Sequence, residues 1–257
     1  MLLSSLVLPI EAEQKPKPQH VQGWFYDLLY EVEPELHDSH SPKPFTLAVG
    51  GNSGNFWIRV TLIDETLYSA LSPKLYILSG QEIRLGKSRV RVKTIIHDKH
   101  PWAGLSTIPR LFQGEATSDF PLRFATPTFF KRKGAHYPLP EPQLVFGSLS
   151  NRLFAHSTLE PPDWLPEAIG RVTMRTYTLR THPIEHEVRA VGFTGRAVFH
   201  LPRAGEEEAR WLTALWRFSF FSGVGAKTTL GFGQVKPYAP RKSMEGSKDD
   251  KSEQAEN

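Results

Sequence analysis

Four glycines lie within eleven residues near the end of the chain, and they restrict the local fold more than any other stretch. The segment 222–234 reads SGVGAKTTLGFGQ, with one lysine and two threonines between the glycine pairs. Glycine adopts positive φ angles and lets another backbone come close, so this run predicts a loop whose main-chain N–H groups face an anion. A helix end followed by a hairpin is the alternative that the glycines leave open.

A nucleotide phosphate loop is excluded by the order of the predicted elements. Such a loop follows a strand and opens a helix, and its lysine directly follows the last glycine. Here an amphipathic segment, 206–222, precedes the glycines, and a strand-like segment, 232–238, follows them. Lys227 comes after an alanine. We therefore expect the helix to end at Gly223 and the loop to lead into a final strand.

The chain is long enough for one large domain or two of ordinary size. Its 257 residues include 21 prolines and 19 glycines, which favours many turns and short strands over a helical bundle. It has no cysteine, which excludes a disulfide scaffold and any cysteine-based nucleophile or metal site. No stretch is long enough to span a bilayer, so we expect a soluble, cytoplasmic protein without a membrane partner.

Hydrophobic periodicity predicts the same order of elements in both halves of the chain. Residues 20–31, for example, carry the apolar spacing of an amphipathic helix. Read coarsely, each half has the order β-α-β-β-α-β, which is the ferredoxin-like, RRM-like plan. The predicted fold class is α+β, with two tandem ferredoxin-like domains at 1–115 and 116–240 and a C-terminal glycine-rich loop. Residues 241–257 are charged and nearly devoid of large apolar side chains, which predicts a disordered tail.

Four local predictions can be compared directly with a structure. Asp64 is expected to cap a short helix that ends at Leu71, with a strand following at 74–78. A strand at 88–97 is expected to alternate buried and basic positions. Two further segments are predicted to lack regular structure. The first is a loop at 100–114, and the second is a basic, proline-rich insertion at 126–142.

Basic side chains are concentrated in three stretches, which favours a polyanionic partner although the formal net charge is only +4. The candidates for contact with nucleic acid are Arg89, Arg91, Lys93, Lys131, Arg132, Arg171 and Arg175. The first three share one face of the predicted strand at 88–97. The middle pair lies in a predicted flexible loop, and the last pair shares a predicted strand face with Tyr177. Basic and aromatic side chains interleaved on a sheet suit nucleic-acid backbone contact and base stacking.

A short span near the start of the chain holds Tyr26, His37, His40 and Lys43. A histidine that titrates near neutrality moves protons, a lysine stabilises charge on a phosphate, and a tyrosine hydroxyl positions or donates. Together they suit RNA cleavage by its own 2′-hydroxyl. The rival is a metal-dependent hydrolase, since the segments at 37–40 and 97–100 share the form His-Asp-x-His. A proline follows each pair closely and neither lies in a firmly predicted helix, so we expect no metal and no cofactor.

The glycine-rich run, GVGAKTTLGFG, resembles the C-terminal signature of the CRISPR-associated RNA-processing endoribonucleases of the sixth Cas family, in the RAMP superfamily. The resemblance extends over most of the chain. The segment 21–26 is similar to the first helix of that family, and 35–38 with 42–46 is similar to its active-site segment. Further similar pieces lie at 124–129 and 192–195. The resemblance implies tandem ferredoxin-like domains, a prokaryotic cytoplasm and CRISPR repeat RNA, the precursor of crRNA, as partner.

The resemblance also implies metal-independent cleavage that leaves a 5′-hydroxyl and a 2′,3′-cyclic phosphate. By position, His37 matches the general acid/base, Lys43 a lysine that stabilises the transition state, and Tyr26 an assisting tyrosine. His40 is the alternative histidine. The loop candidates for RNA contact are Gly223, Gly225, Lys227, Thr228, Thr229, Gly231 and Gly233. The alternative function is a non-catalytic RNA-binding subunit of a CRISPR effector complex. Such a complex is also a candidate partner, and monomer and homodimer both stay open.

Overall fold

The computed structural model describes residues 1–38, 42–52, 54–184 and 189–238, without the side chains of residues 37 and 38. The strands are β1 (Leu2–Glu11), β2 (Phe45–Asn52), β3 (Asn55–Leu62), β4 (Glu82–Leu85), β5 (Ser88–Val92), β6 (Gly104–Thr107), β7 (Asp119–Thr128), β8 (Phe130–Arg132), β9 (Ala135–Tyr137), β10 (Thr173–Ile184), β11 (Ala190–His200) and β12 (Val235–Pro237). The helices are α1 (Pro18–Tyr30), α2 (Glu35–Asp38), α3 (Glu65–Ile77), α4 (Ile108–Leu111), α5 (Pro142–Ala155), α6 (Leu165–Arg171) and α7 (Glu206–Ser222). No helix in these ranges combines the length and the apolar character needed to cross a membrane.

The first sheet has the strand order of a ferredoxin-like fold. Its strands run β2-β3-β1-β5-β4, and β6 pairs with the beginning of β1. β1 lies antiparallel to β3, from Ser4 opposite Leu62 to Ile10 opposite Phe56. Helices α1 and α3 pack on one face of this sheet and share its apolar core. The order β2-β3-β1-β5 is what the predicted β-α-β-β-α-β plan requires.

The second sheet repeats this order with strands from the other half of the chain. Its strands run β10-β11-β7-β12, so β7 takes the central place that β1 has in the first sheet. Helices α5 and α7 cover one face and contribute Phe146, Leu149, Leu215 and Phe218 to the core. The α+β class and the tandem ferredoxin-like arrangement are confirmed. The boundaries 1–115 and 116–240 stay predictions, and the tail predicted at 241–257 lies outside the described residues.

A buried arginine connects the two sheets. Arg59 on β3 is 1% exposed, and its guanidinium lies 4.8 Å from the ring centroid of Trp102 and 4.5 Å from that of Phe220. It donates to the side-chain oxygen of Gln234 at 2.8 Å and to the Phe220 carbonyl at 2.6 Å. Within the described ranges no carboxylate pairs with it, and burial lowers the pKa of Arg59 to about 9. Aromatic faces and oxygens from both halves thus hold one cation between them.

The strand predicted at 74–78 is wrong, because helix α3 continues to Ile77. Asp64 does cap this helix, since its Oδ1 accepts from the Leu67 N–H at 2.7 Å. The helix also includes Pro73, which lacks an N–H donor and disfavours a helix interior. Leu67, Leu71 and Leu75 follow at i+4 spacing and are all buried, so packing of this stripe outweighs the cost of the proline.

The strand predicted at 88–97 ends early, at Val92. Val90 and Val92 alternate as expected, but the next buried side chain is Ile95 instead of residue 94. Buried side chains on one face of a strand are two residues apart, whereas Val92 and Ile95 are three apart. The strand therefore does not continue beyond Val92. Lys93 therefore lies beyond the strand, although its N–H still donates to the Pro9 carbonyl at 2.8 Å.

Residues 100–114 contain strand β6 and helix α4, where the sequence predicted only a loop. β5 pairs with only the last two residues of β1, at Ile10 and Glu11, so the earlier part of that edge of β1 is open to another strand. β6 fills it, from Leu2 opposite Thr107 to Ser5 opposite Gly104. This pairing joins residues about a hundred positions apart, which local sequence patterns do not reveal.

Candidate active site

Helix α1 holds Tyr26 at the edge of the first core. Val21, Phe25 and Leu29 lie at i+4 spacing and are buried against the sheet, which fixes the helix in place. The ring of Tyr26 packs edge-on against Phe45 at the start of β2, with 5.8 Å between the centroids. Burial raises the pKa of Tyr26, so its hydroxyl stays protonated near neutral pH. Tyr26 is therefore a hydrogen-bond donor at this position.

Lys43 lies two residues before Phe45, and its ammonium donates to the carbonyl of Leu36 in helix α2. This contact links Lys43 to helix α2. The backbone of His37 belongs to α2, but its side chain lies outside the described residues, as does the whole of His40. The structure thus places Lys43 and the segment that carries His37 beside the end of helix α1, since α1 contacts both α2 and β2.

The glycine-rich loop begins where the sequence predicted, since α7 ends at Ser222. The φ angles of Gly223, Gly225, Gly231 and Gly233 are 65°, 82°, 86° and 65°. Glycine is required most clearly at Gly225 and Gly233. A Cβ atom there would lie 2.4 Å from the Phe129 carbonyl oxygen and 2.0 Å from the Val224 carbonyl oxygen, respectively. The loop then forms a 3-10 turn at Thr228–Leu230 before it enters β12.

Most N–H groups of this loop donate within the protein, which corrects the expectation that they face an anion. Those of Val224, Ala226 and Gly233 donate to backbone carbonyls at 2.8, 2.9 and 3.1 Å. That of Gly225 donates to the hydroxyl of a serine in α5 at 3.3 Å. Only at the start of the 3-10 turn, from residue 227 to 229, do consecutive N–H groups lack an acceptor among the described residues.

The loop lies between the two halves of the molecule. On one side the Thr229 hydroxyl accepts from the Gln22 amide of α1 at 2.9 Å, and Gly231 packs against Ala48 of β2. On the other side Thr228, 2% exposed, accepts from Arg152 of α5 at 3.0 Å. Gly223 and Gly233 are buried, whereas Lys227 is exposed. Lys227 is thus the most exposed of the seven loop candidates, and contact of all seven with RNA stays a prediction.

Two glycine substitutions are expected to change stability in opposite directions. Gly225→Ala should lower the free energy of unfolding by more than about 1–2 kcal/mol, because the positive φ angle and the Phe129 carbonyl both oppose a Cβ atom. Gly23→Ala should raise it by about 1 kcal/mol, because Gly23 lies inside α1 and a Cβ there meets no atom within 4 Å. Urea unfolding of both variants measures the difference. Equal stability of the two variants would contradict this account of the loop.

The basic row on β5 lies far from the loop. Arg89 and Arg91 are exposed, but three strand spacings, about 14 Å, separate β5 from β2, which contacts the loop. Arg91 pairs with Glu82 at 3.8 Å, and Lys93 pairs with Glu11 at 3.5 Å. These acids partly neutralise the row, and its contact with RNA stays a prediction.

Arg171 does not share a strand face with Arg175, because it is the last residue of helix α6. There it pairs with Glu208 of α7. A change of strand register between Met174 and Thr176 also interrupts the alternation that the sequence suggested, and Arg175 pairs with Asp119 at 3.2 Å. Both arginines are therefore engaged within the protein, and their contact with RNA stays a prediction.

The insertion at 126–142 contains a two-stranded hairpin, β8 and β9, in place of the predicted flexible loop. Lys131 and Arg132 both lie on β8. Lys131 is exposed, whereas Arg132 pairs with Glu141 at 2.6 Å and lies over the ring of Tyr137. Contact of Lys131 and Arg132 with RNA stays a prediction.

A cationic cleft between the open faces of the two sheets was missed by sequence reasoning. Its volume is about 290 Å³, and it contains two tryptophans but no acidic side chain among its lining residues. Its cations are Lys15, Arg59, Arg123 and Lys236. Burial, together with Arg59 and Arg123, lowers the pKa of Lys236. No sequence signal marks this cleft, because its cations come from four separate elements.

The metal-dependent alternative rests on the two His-Asp-x-His pairs at 37–40 and 97–100. In the described ranges no group of three or more histidine, aspartate or glutamate side chains is placed to hold a metal ion. Of the two pairs, the one at 37–40 lies outside the described side chains. In the other, the Nδ1 atom of His100 accepts from the Trp102 N–H at 3.2 Å, so that nitrogen carries no proton.

Comparison with known proteins agrees with the fold and the loop. The family model described as CRISPR-associated endoribonuclease Cas6 matches residues 122–235. A protein of the same description from Mycobacterium tuberculosis is 31% identical over 192 residues. The match includes 72% of this chain but only 60% of that relative's length.

Two solved structures are more similar, and both cover 93% of this chain and 100% of their own. One is a Cas6 (TTHA0078) product complex, with 52% identity and a TM-score of 0.89. The other is a Cas6 (TTHA0078) H37A mutant, with 52% identity and a TM-score of 0.87. Tandem ferredoxin-like sheets joined by a glycine-rich loop, matched at this identity, therefore place the chain among the CRISPR-associated proteins. The chain belongs to the CRISPR-associated endoribonuclease Cas6 family.

Proposed function

We propose that this chain cleaves CRISPR repeat RNA within precursor crRNA, by general acid/base catalysis that needs no metal ion. The observations that support the proposal are that Tyr26 packs against Phe45 and that Lys43 binds Leu36, the residue before His37. The helix and the strand beside these residues, α1 and β2, also contact the glycine-rich loop. The names of the relatives support an endoribonuclease, and one of the similar solved structures is a product complex.

The reaction follows from the chemistry of these groups. A base removes the proton of the RNA 2′-hydroxyl, and the oxygen attacks the adjacent phosphorus. The bond to the 5′-oxygen breaks, and an acid protonates that oxygen, which leaves a 2′,3′-cyclic phosphate and a 5′-hydroxyl. We assign the proton transfers to His37 and the stabilisation of phosphate charge to Lys43. Tyr26, protonated near neutral pH, donates a hydrogen bond to the reacting group.

The choice of His37 over His40 is supported by a relative. A solved structure with 52% identity is that of an H37A mutant, and histidine also occupies position 37 here. The contact from Lys43 to Leu36 supports the same choice, because it ties the lysine to the residue next to His37. His40 remains the alternative histidine.

The partner that we propose is CRISPR repeat RNA. Lys227 provides an exposed cation on the glycine-rich loop, and Lys131 provides one on the β8–β9 hairpin. The cleft between the sheets adds four further cations, Lys15, Arg59, Arg123 and Lys236, which suit the phosphates of a single strand. A CRISPR effector complex that receives the product is a further proposed partner, and the protein acts as a monomer or a homodimer in a prokaryotic cytoplasm.

Cleavage in excess chelator tests the proposal. Labelled repeat RNA should be cut at the same rate in EDTA as in Mg²⁺, because a 2′-hydroxyl nucleophile and a histidine need no metal. An RNA of the same composition in scrambled order is the control for specificity, and it should stay intact. A loss of cleavage in EDTA that added Mg²⁺ restores would contradict the metal-independent reaction.

A further inference from the structure

Helix α5 belongs to the second half of the chain, yet one of its faces contacts the site in the first half. Ser148, Arg152 and His156 follow at i+4 spacing, so they lie along one line of the helix surface. The first two contact the glycine-rich loop, and the third, at the end of the helix, contacts the carbonyl of Pro42. These three contacts join the loop and the active-site segment to a single rigid element.

Arg152 holds the loop at its entrance. Its guanidinium donates to the carbonyl of Ser222, the last residue of α7, and to the Thr228 hydroxyl at 3.0 Å. No carboxylate of the described residues pairs with it, and burial lowers the pKa of Arg152 to about 10. The C-terminal end of α7 carries partial negative charge and unpaired carbonyls, which explains how this cation is accommodated.

His156 binds the active-site segment at Pro42. Its Nε2 atom lies 2.6 Å from the Pro42 carbonyl oxygen, and a carbonyl only accepts, so Nε2 must carry a proton. Burial, which outweighs the hydrogen bond to Pro42, lowers the pKa of His156, so the ring is neutral near pH 7. Its single proton is thus the one that binds Pro42.

The position of Pro42 makes this contact relevant to the reaction. Pro42 directly precedes Lys43, whose ammonium binds the Leu36 carbonyl. His156 fixes the backbone at Pro42, and Lys43 connects this point to helix α2. Leu36, the residue before His37, is therefore linked to helix α5 through Lys43 and Pro42.

We propose that His156 is a positioning residue for RNA cleavage, which holds Pro42 and Lys43 in the geometry that the reaction needs. It acts through Pro42 and does not itself transfer a proton. Because Arg152 lies one helical turn earlier, the same helix sets the distance between the glycine-rich loop and Lys43. The inference rests on the proposed function and adds to it a residue from the second half of the chain.

The test compares His156→Phe, which keeps a ring but removes the donor, with His156→Gln, which keeps an N–H at similar reach. His156→Phe should lower the single-turnover cleavage rate at saturating protein by about tenfold to a hundredfold, with unchanged affinity for the repeat RNA. His156→Gln should recover most of the rate. His200→Phe is the matched control, since His200 is also half-buried and bonds Asp119 at 2.8 Å, and it should cleave at the wild-type rate.

The outcomes separate this inference from the proposed function. If wild-type protein does not cut repeat RNA, the proposed function fails. If wild-type protein cuts and His156→Phe cuts equally fast, or His156→Gln is as slow as His156→Phe, the inference is overturned. Should His156→Phe not fold, His156→Asn replaces it, because its shorter side chain does not reach Pro42. Equal rates for the Asn and Gln variants would then overturn the inference.

Discussion

The His37→Ala variant is expected to cleave repeat RNA about a thousandfold more slowly than wild type, with unchanged affinity for the RNA. The methyl group can neither accept the proton of the 2′-hydroxyl nor deliver one to the leaving oxygen, so the cost falls on the reaction itself. Binding should persist, because the cations of the loop, the hairpin and the cleft are untouched. Single-turnover cleavage and equilibrium binding of the same labelled RNA measure the two quantities separately.

His40→Ala is the matched control for this prediction. It removes an identical side chain three positions away and leaves the Lys43–Leu36 contact in place. We expect it to cleave at close to the wild-type rate. Loss of cleavage with retained binding for His40→Ala alone would contradict the assignment and make His40 the reacting histidine.

The parts of the fold that the sequence predicts correctly are those governed by local chemistry. Helix α7 carries three glutamates in its first turn, an apolar stripe, and Gly223 directly after its last residue. Each of these signals acts within a few residues, so both ends of the helix follow from them. The repeated β-α-β-β-α-β order is read in the same way, from periodicity within each element.

The parts of the fold that the sequence does not predict depend on contacts between residues far apart in the chain. Helix α3 tolerates Pro73 because its leucine stripe is buried against the sheet. β6 forms because β5 leaves the first part of an edge of β1 unpaired. In both cases tertiary packing decides between local alternatives that are close in free energy, and propensity alone cannot.

In the candidate active site, too, local chemistry can be predicted from the sequence and contacts between distant residues cannot. The residue types at Tyr26, His37 and Lys43 suggest RNA cleavage from the sequence, because their chemistry is intrinsic to each side chain. The residues that organise them are not apparent in this way. Gln22 meets Thr229 across 207 positions and His156 meets Pro42 across 114. A polar residue on a helix surface gives no indication of such a partner until the fold brings the two together.

The central claim is that the RNA supplies its own nucleophile, and removal of one oxygen atom from the substrate tests it. Once the cleaved bond in the repeat is mapped, a repeat RNA can be made with a single 2′-deoxy nucleotide on the 5′ side of that bond. Without this hydroxyl no cyclic phosphate can form, whatever the protein contributes. The phosphates that bind the protein are all retained, so affinity should not change.

The most direct measurement is therefore single-turnover cleavage of this RNA beside one whose deoxy nucleotide lies elsewhere in the repeat. The account predicts that the first RNA is bound with normal affinity and stays intact for as long as the second takes to be cut completely. Cleavage of the first RNA at the mapped bond, at a rate close to that of the second, would show that water or another group attacks the phosphate. That result would contradict the proposed reaction.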